Sequence, residues 1–149
     1  MRLIRICAWL LAGVVPAAWA ADGLVAVQSA HPPKETIDRF EKLAKEKGMT
    51  VFARIDHAAG AAKVGKSLRP TELLIFGNPQ GGTPLMECAQ TAGIDLPMKV
   101  MAWQDAAGQA WLGYNDPEWI ARRHEAPACS AAGNLKKALA GLVGAAAAR

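Results

Sequence analysis

At 149 residues with a formal charge of +4, the chain is sized for one folded domain. Arg2 and Arg5 supply two of those charges; without them 15 basic side chains face 13 acidic ones. A balance that even gives no electrostatic reason for a nucleic-acid role, which needs a clustered basic face.

Apolar residues make up 52% of the chain, and part of that excess is one run, Ile6 to Val15. It follows a basic start and precedes Pro16 and Ala18-Trp19-Ala20, with small residues at the two positions a signal peptidase reads. The run is shorter than the ~20 residues that span a bilayer, so it predicts a cleaved export signal over residues 1–20 and no permanent membrane anchor. Cleavage after Ala20 takes 20 residues from 149 and leaves a 129-residue domain, residues 21–149, in the periplasm or outside the cell. Cys7 goes with the signal, and the mature chain keeps two cysteines, Cys88 and Cys129. In an oxidising compartment a bridge between them is favoured, worth about 3–4 kcal/mol through the unfolded chain. Separate thiols, buried or metal-bound, are the alternative.

Gly23 to Gln28 reads as a strand, with Leu24 and Ala26 on one face and Val25 and Val27 on the other. Pro32-Pro33 opens a helix whose apolar stripe is Ile37, Phe40, Leu43 and Ala44, and Gly48 ends it. Its charges pair at i,i+4, as Glu35 with Arg39, Asp38 with Lys42 and Glu41 with Lys45, and read as a solvated face. Met49 to Ile55 is a second strand, rich in β-branched and aromatic residues. A long connection, Asp56 through Leu68, follows and is expected to be mobile or part of a site. Leu73 to Phe76 fits a central strand. After the turn-dense stretch Gly77 to Pro84, Thr83 is expected to cap a short helix from Pro84 to about Ala92. Leu96 to Trp103 and Ala110 to Tyr114 form a hairpin turning at Asp105 to Gly108. Asp116-Pro117 starts another short helix. Leu135, Leu139, Leu142 and Val143 mark a closing helix, with residues 145–149 expected to fray.

Strand, helix, four strands, helix is an α+β order, expected to give an antiparallel sheet with both longer helices on one face. The other face then needs a cover. Trp103, Trp111, Tyr114 and Trp119 supply aromatic surface for a homodimer through it, or else simply belong to the core.

Several blocks carry a resemblance: Ile55-Asp56-His57-Ala58-Ala59-Gly60-Ala61, Leu68-Arg69-Pro70-Thr71-Glu72-Leu73, Phe76-Gly77-Asn78-Pro79, and Gly82-Thr83-Pro84-Leu85-Met86. Ile94 to Val100, Trp103-Gln104-Asp105, Trp111, and Tyr114-Asn115-Asp116-Pro117 leading to Arg123-His124 continue it in the same order. Together they resemble the domain of unknown function 302 family across essentially the whole mature chain. The resemblance implies a TATA-binding-protein-like β-α-β(4)-α fold and a dimer; it implies no DNA binding, because a fold label does not carry function. Gln90 stands where the family pattern has proline, and Cys88 and Cys129 lie outside that pattern.

For function, the polar residues at the ends of apolar strands are the candidates. His57, Arg69, Asn78, Gly82, Thr83, Asp95, Lys99, Tyr114 and His124 are expected to bind a small polar or anionic ligand, with no cofactor and no catalytic residue assigned. Gly81-Gly82 before a helix start can offer backbone donors to an anion, although a tight turn with a cap explains it more simply. Asp95 and Asp116, beside Pro-containing turns, read more simply as loop ties. Three alternatives stand beside this non-enzymatic reading. One is an enzyme using a histidine of that pocket as general base. A second is a structural or envelope-stress protein. The third is a copper-type metal binder drawing on His31, His57, His124, Cys88, Cys129, Met86, Met98 and Met101, although no pair of these shows metal-ligand spacing.

Overall fold

The computed structural model describes residues 21–149. The expected export signal, residues 1–20, lies outside the described residues. Five apolar-rich segments form strands: β1 (Leu24–Gln28), β2 (Thr50–Asp56), β3 (Thr71–Gly77), β4 (Met98–Gln104) and β5 (Ala110–Asn115). They make one sheet in the order β1-β5-β4-β3-β2 with every neighbouring pair antiparallel. The helices are α1 (Pro33–Glu46), α2 (His57–Lys63), α3 (Pro79–Cys88), α4 (Pro117–Arg123) and α5 (Ser130–Ala147), with a 3-10 turn over Gln90–Ile94. The fold is α+β.

The strands α1 connects, β1 and β2, lie on opposite edges of the sheet, so α1 must cross it. Its buried Ile37, Phe40 and Ala44 pack against Leu74 and Phe76 of β3, Val100 and Ala102 of β4 and Leu112 and Tyr114 of β5. Phe40 meets Phe76 edge to face, with ring centroids 4.8 Å apart. Leu139, Leu142, Val143 and Ala146 bring α5 into the same core. Val25 and Val27 of β1 face inward, as the alternation predicts. On the opposite face, out of phase with these, Leu24, Leu73, Ile75, Met101, Trp103 and Trp111 stay partly exposed. Trp103 and Trp111 stack there, 6.4 Å between centroids, with the Trp103 ring laid over Gly113. A side chain at Gly113 would displace that ring: an added Cβ would stand 3.0 Å from it and 2.9 Å from the Val25 carbonyl oxygen.

Four expectations are corrected. The connection after β2 contains a helix, α2, because the Asp56 carboxylate accepts from the Ala59 amide at 2.8 Å and alanine does the rest. The helix expected at Pro84 begins five residues earlier at Pro79: Asn78 caps it, accepting from the Gln80 amide at 2.8 Å, and Pro84 falls inside. Two cap-proline pairs compete here, and the first one wins. That helix also stops at Cys88, and the 3-10 turn takes over. At the C-terminus α5 runs through Ala147 instead of fraying, with Ala146 and Ala147 buried.

The reason lies on α1, whose charges are not a purely solvated face. Arg39 turns from Glu35 to the end of α5, where Nε donates to the Ala146 carbonyl at 3.0 Å and Nη2 to Ala148 at 3.1 Å. A cation on the last carbonyls of a helix offsets its dipole. Asp38 and Glu41 reach across to β2, where Arg54 Nη1 donates to them at 2.6 and 3.3 Å; Glu41 also keeps its expected partner Lys45. Arg54 completes its fork on Glu72 of β3, at 2.5 and 2.9 Å. The Glu72 hydrogen bond raises the Arg54 pKa, while Arg54 holds Asp38 below the usual carboxylate range; Lys45, then Arg54, lower Glu41.

These depressed carboxylates stabilise the fold above their unfolded pKa values, near 4, and that stabilisation is lost as pH falls through the folded ones. Arg54→Met is therefore expected to lower stability at pH 7 by about 1–3 kcal/mol and to flatten its pH dependence below about pH 5. Urea unfolding at pH 7 and pH 3 checks this; parallel pH profiles for variant and parent would contradict it.

Candidate functional site

Strand β3 separates the residues expected to share a site. Its seven residues span roughly 20 Å. At the Thr71 end are His57, exposed as the first residue of α2, and Arg69, whose Nε donates to the Gln104 carbonyl at 3.0 Å. At the Gly77 end are Asn78, Gly82, Thr83, Asp95, Lys99 and His124, while Tyr114 lies level with Leu74 at the middle of β3.

Within the second group Asp95 is the centre. It follows the 3-10 turn and receives His124 Nε2 at 2.7 Å on one oxygen and Arg123 Nη1 at 2.8 and 3.1 Å across both. The carboxylate can only accept, so Nε2–H donates to it, and the other imidazole nitrogen, Nδ1, is hydrogen-bonded to the Thr91 hydroxyl at 3.0 Å. Arg123 also lies over Trp119, 5.7 Å from the ring centroid. Lys99 Nζ donates to the Asp95 and Pro97 carbonyls at 2.8 and 2.9 Å. Asp95 joins the β4 entry to the end of α4, Thr91 joins the 3-10 turn to the same end, and Lys99 draws the residue that follows the turn to β4. The group therefore works as a tie, as expected of Asp95 alone, and His124 is one of its members. Asp116 is a tie as well: it caps α4 through the Glu118 amide at 2.9 Å and meets Lys136 Nζ at 3.2 Å. Tyr114 faces the core, where burial pushes its phenol pKa up.

The space at this end of the sheet is apolar. A cavity of about 350 Å³ opens between α3, α5 and the Gly77 end of the sheet. Met49, Phe52, Met86, Leu96, Met98 and Leu135 line it, with Gly82 and Pro97; Asn78 and Thr83 are its polar side chains. Glycine makes the room. An added Cβ on Gly81 would stand 3.1 Å from Leu135, one on Gly93 3.3 Å from Met86, and one on Gly82 3.7 Å from Leu96. The same glycines do not cradle an anion, because the Gly81 and Gly82 amides both donate to the Asn78 carbonyl at 3.0 Å.

That wall is a poor helix by itself. Two glycines at ~1 kcal/mol each and an internal proline at ~3 kcal/mol oppose α3, and Leu85 is its one fully buried side chain. Cys88 and Cys129 oppose that weakness. Their alpha carbons lie 6.0 Å apart and their sulfurs are joined, so the end of α3 is fastened to the start of α5. A bridge closing 41 positions is worth about 3–4 kcal/mol, comparable to the helix deficit.

The sequence reading missed the cavity because its lining is scattered over six segments and its residue types are those of a core. One signal was available. Gly81 and Gly82, read as a tight turn or as backbone donors, are helix positions where a missing side chain opens volume. Among the described residues no three His, Cys, Asp or Glu side chains converge as a metal site would require.

If Asp95 is a tie, Asp95→Ala should cost about 1–3 kcal/mol in urea unfolding by stranding Arg123 and His124. A loss under ~0.5 kcal/mol would show that the contacts hold nothing together.

The comparisons with known proteins agree with this fold. Residues 25–142 match the family described as "Domain of unknown function DUF302". The chain is 55% identical over 103 residues to the "Fluoride-specific ion channel FluC 1" of Brucella suis biovar 1 (strain 1330), which covers 69% of this chain and 41% of that protein. The same identity and share of this chain hold for the "Fluoride-specific ion channel FluC 2" of Brucella melitensis biotype 1 (strain ATCC 23456 / CCUG 17765 / NCTC 10094 / 16M), of which it covers 38%. The chain thus spans about two fifths of the length of these relatives. Among solved structures, the "uncharacterized conserved protein DUF302 from Bacillus stearothermophilus" superposes with a TM-score of 0.76 at 23% identity, covering 85% of this chain and 99% of that one. The match over most of its length places the chain in the DUF302 family.

Proposed function

We propose that this is an exported, non-catalytic domain that binds a small, mainly apolar molecule in the cavity between α3 and α5. The cavity itself carries the reading. Its volume of about 350 Å³ lies at the small end of the 300–1,000 Å³ range of ligand pockets, with polar side chains only at Asn78 and Thr83. The polar or anionic ligand expected from sequence gives way to an apolar one. His57 and Arg69 sit at the other end of the sheet, while Asp95, Lys99 and His124 spend their polar atoms on each other and on backbone. Burying ~200 Å² of an aromatic ligand at ~25 cal/mol per Å² yields about 5 kcal/mol, an affinity of roughly 0.1–0.3 mM.

Export is supported by the basic, apolar, Ala-x-Ala order of the first twenty residues and by the joined cysteines, which suit an oxidising compartment. The partly exposed sheet face of Leu73, Ile75, Met101, Trp103 and Trp111 is proposed as the contact with a second copy, since stacked tryptophans are the side chains that dominate interfaces. Channel activity is not carried over from the fluoride channels. The likeness covers about two fifths of them, and among the described residues no helix is long and apolar enough to cross a membrane.

N-Phenyl-1-naphthylamine, an apolar fluorophore, should bind saturably with an affinity in the range above. Ala138→Trp, at the exposed rim of the cavity, should weaken it at least about tenfold with stability kept, whereas His57→Ala should leave it unchanged. No saturation, or equal affinity in Ala138→Trp, would overturn the binding reading.

Native mass spectrometry of protein purified from a bacterial periplasm should show a dimer. Each subunit should have the mass of residues 21–149 less two hydrogens, and Trp103→Glu should dissociate the pair. A full-length subunit mass would refute export by cleavage, and a monomer the proposed interface.

A further inference from the structure

We infer that the Cys88–Cys129 disulfide is a redox control on the cavity: oxidised, it holds the α3 wall in the ligand-binding position, and reduced, it releases that wall. The inference rests on the binding reading above and names the regulation of the same site.

Four observations carry it. Both halves of the bridge end in cavity walls. Cys88 closes α3, which contributes Gly81, Gly82 and Met86, and Cys129 caps α5, which contributes Leu135 and Leu139. The wall that would move is the one least able to stand alone, since α3 contains two glycines and an internal proline and buries only Leu85 completely. The rest of the core does not pass through it: α1, the sheet and the α5 residues from Leu139 onward pack on one another. Reduction therefore loosens the cavity without dissolving the fold. Finally, the two cysteines differ in exposure. Cys88 is exposed while Cys129 is buried at the N-terminus of an 18-residue helix.

That asymmetry sets the order of exchange with a dithiol reductant. A reductant thiolate attacks the sulfur of Cys88, the more exposed residue, the protein S–S bond breaks, and Cys129 leaves as thiolate, a form favoured beside the N-terminal dipole of α5. The reductant's second thiolate then attacks the mixed disulfide and frees Cys88. Two electrons pass to the protein, each cysteine takes up one proton, and the reductant departs as its own disulfide.

The test uses N-phenyl-1-naphthylamine on the mature protein in three forms: air-oxidised, reduced with tris(2-carboxyethyl)phosphine, and Cys88→Ser/Cys129→Ser. The reduced protein and the double variant should bind about tenfold or more weakly than the oxidised form. Amide hydrogen exchange should accelerate in residues 79–88 and stay unchanged in β3 and β4. Reoxidation should restore both signals. Should the double variant fail to fold, the reversible reduction of the parent protein decides. Equal affinity in oxidised and reduced protein, with the oxidised form binding, would overturn the redox control alone. No binding by the oxidised form would instead overturn the cavity reading and this inference with it.

Discussion

One sheet face has to receive two helices, and the rest of the molecule follows from how they share it. Because β1 and β2 occupy opposite edges, α1 is committed to crossing the sheet, and its buried Ile37, Phe40 and Ala44 meet the middle strands. What remains of that face is left to α5, whose Leu139, Leu142, Val143 and Ala146 complete the core. Neither helix closes the Gly77 end of the sheet. There the chain supplies α3, and where larger side chains would fill the gap it supplies glycine. The cavity is the geometric remainder of that packing.

Charges hold this arrangement at its margins. Arg39 fastens the end of α5 to α1, Arg54 fastens α1 to β2 and β3, and Asp95 fastens the entry of β4 to the end of α4. Each tie uses a partly buried group with several partners, where hydrogen bonds to charge are worth more than in exposed pairs. His124 and Asp95, two of the residues expected to bind a ligand, are occupied in one of these ties. A carboxylate that receives both an imidazole and a guanidinium is oriented by the fold, and here what it orients is a loop junction.

The cavity and its disulfide belong together physically. A wall containing Gly81, Gly82 and Pro84 makes space but lacks intrinsic helical stability, and the Cys88–Cys129 link supplies the missing restraint from the covalent chain. On the opposite face the stacked Trp103 and Trp111 leave an apolar surface that α1 and α5, on the other side, do not touch.

Local chemistry determined the fold class and most elements. Period-two alternation sets β1, β4 and β5, the apolar stripe with Gly48 sets α1, and Asp105 with Gly108 sets the hairpin, where Gly108 takes φ +81° and the carboxylate accepts from two amides and the Trp111 indole. The disulfide partners were legible too, since Cys88 and Cys129 are the two cysteines beyond the expected export signal. Where two equivalent local signals competed, as at Asn78-Pro79 and Thr83-Pro84, the sequence did not decide the helix start. It left the C-terminal alanines undecided as well, because Arg39 and the core hold them from a distance. The site was legible only in part. Polar residues announce themselves by type, but whether His57 and His124 lie together depends on which end of a ~20 Å strand each one reaches. An apolar cavity has no residue type of its own. It exists only as the volume left when six segments, strands and helices together, pack on one another, and that volume was decided by tertiary structure alone.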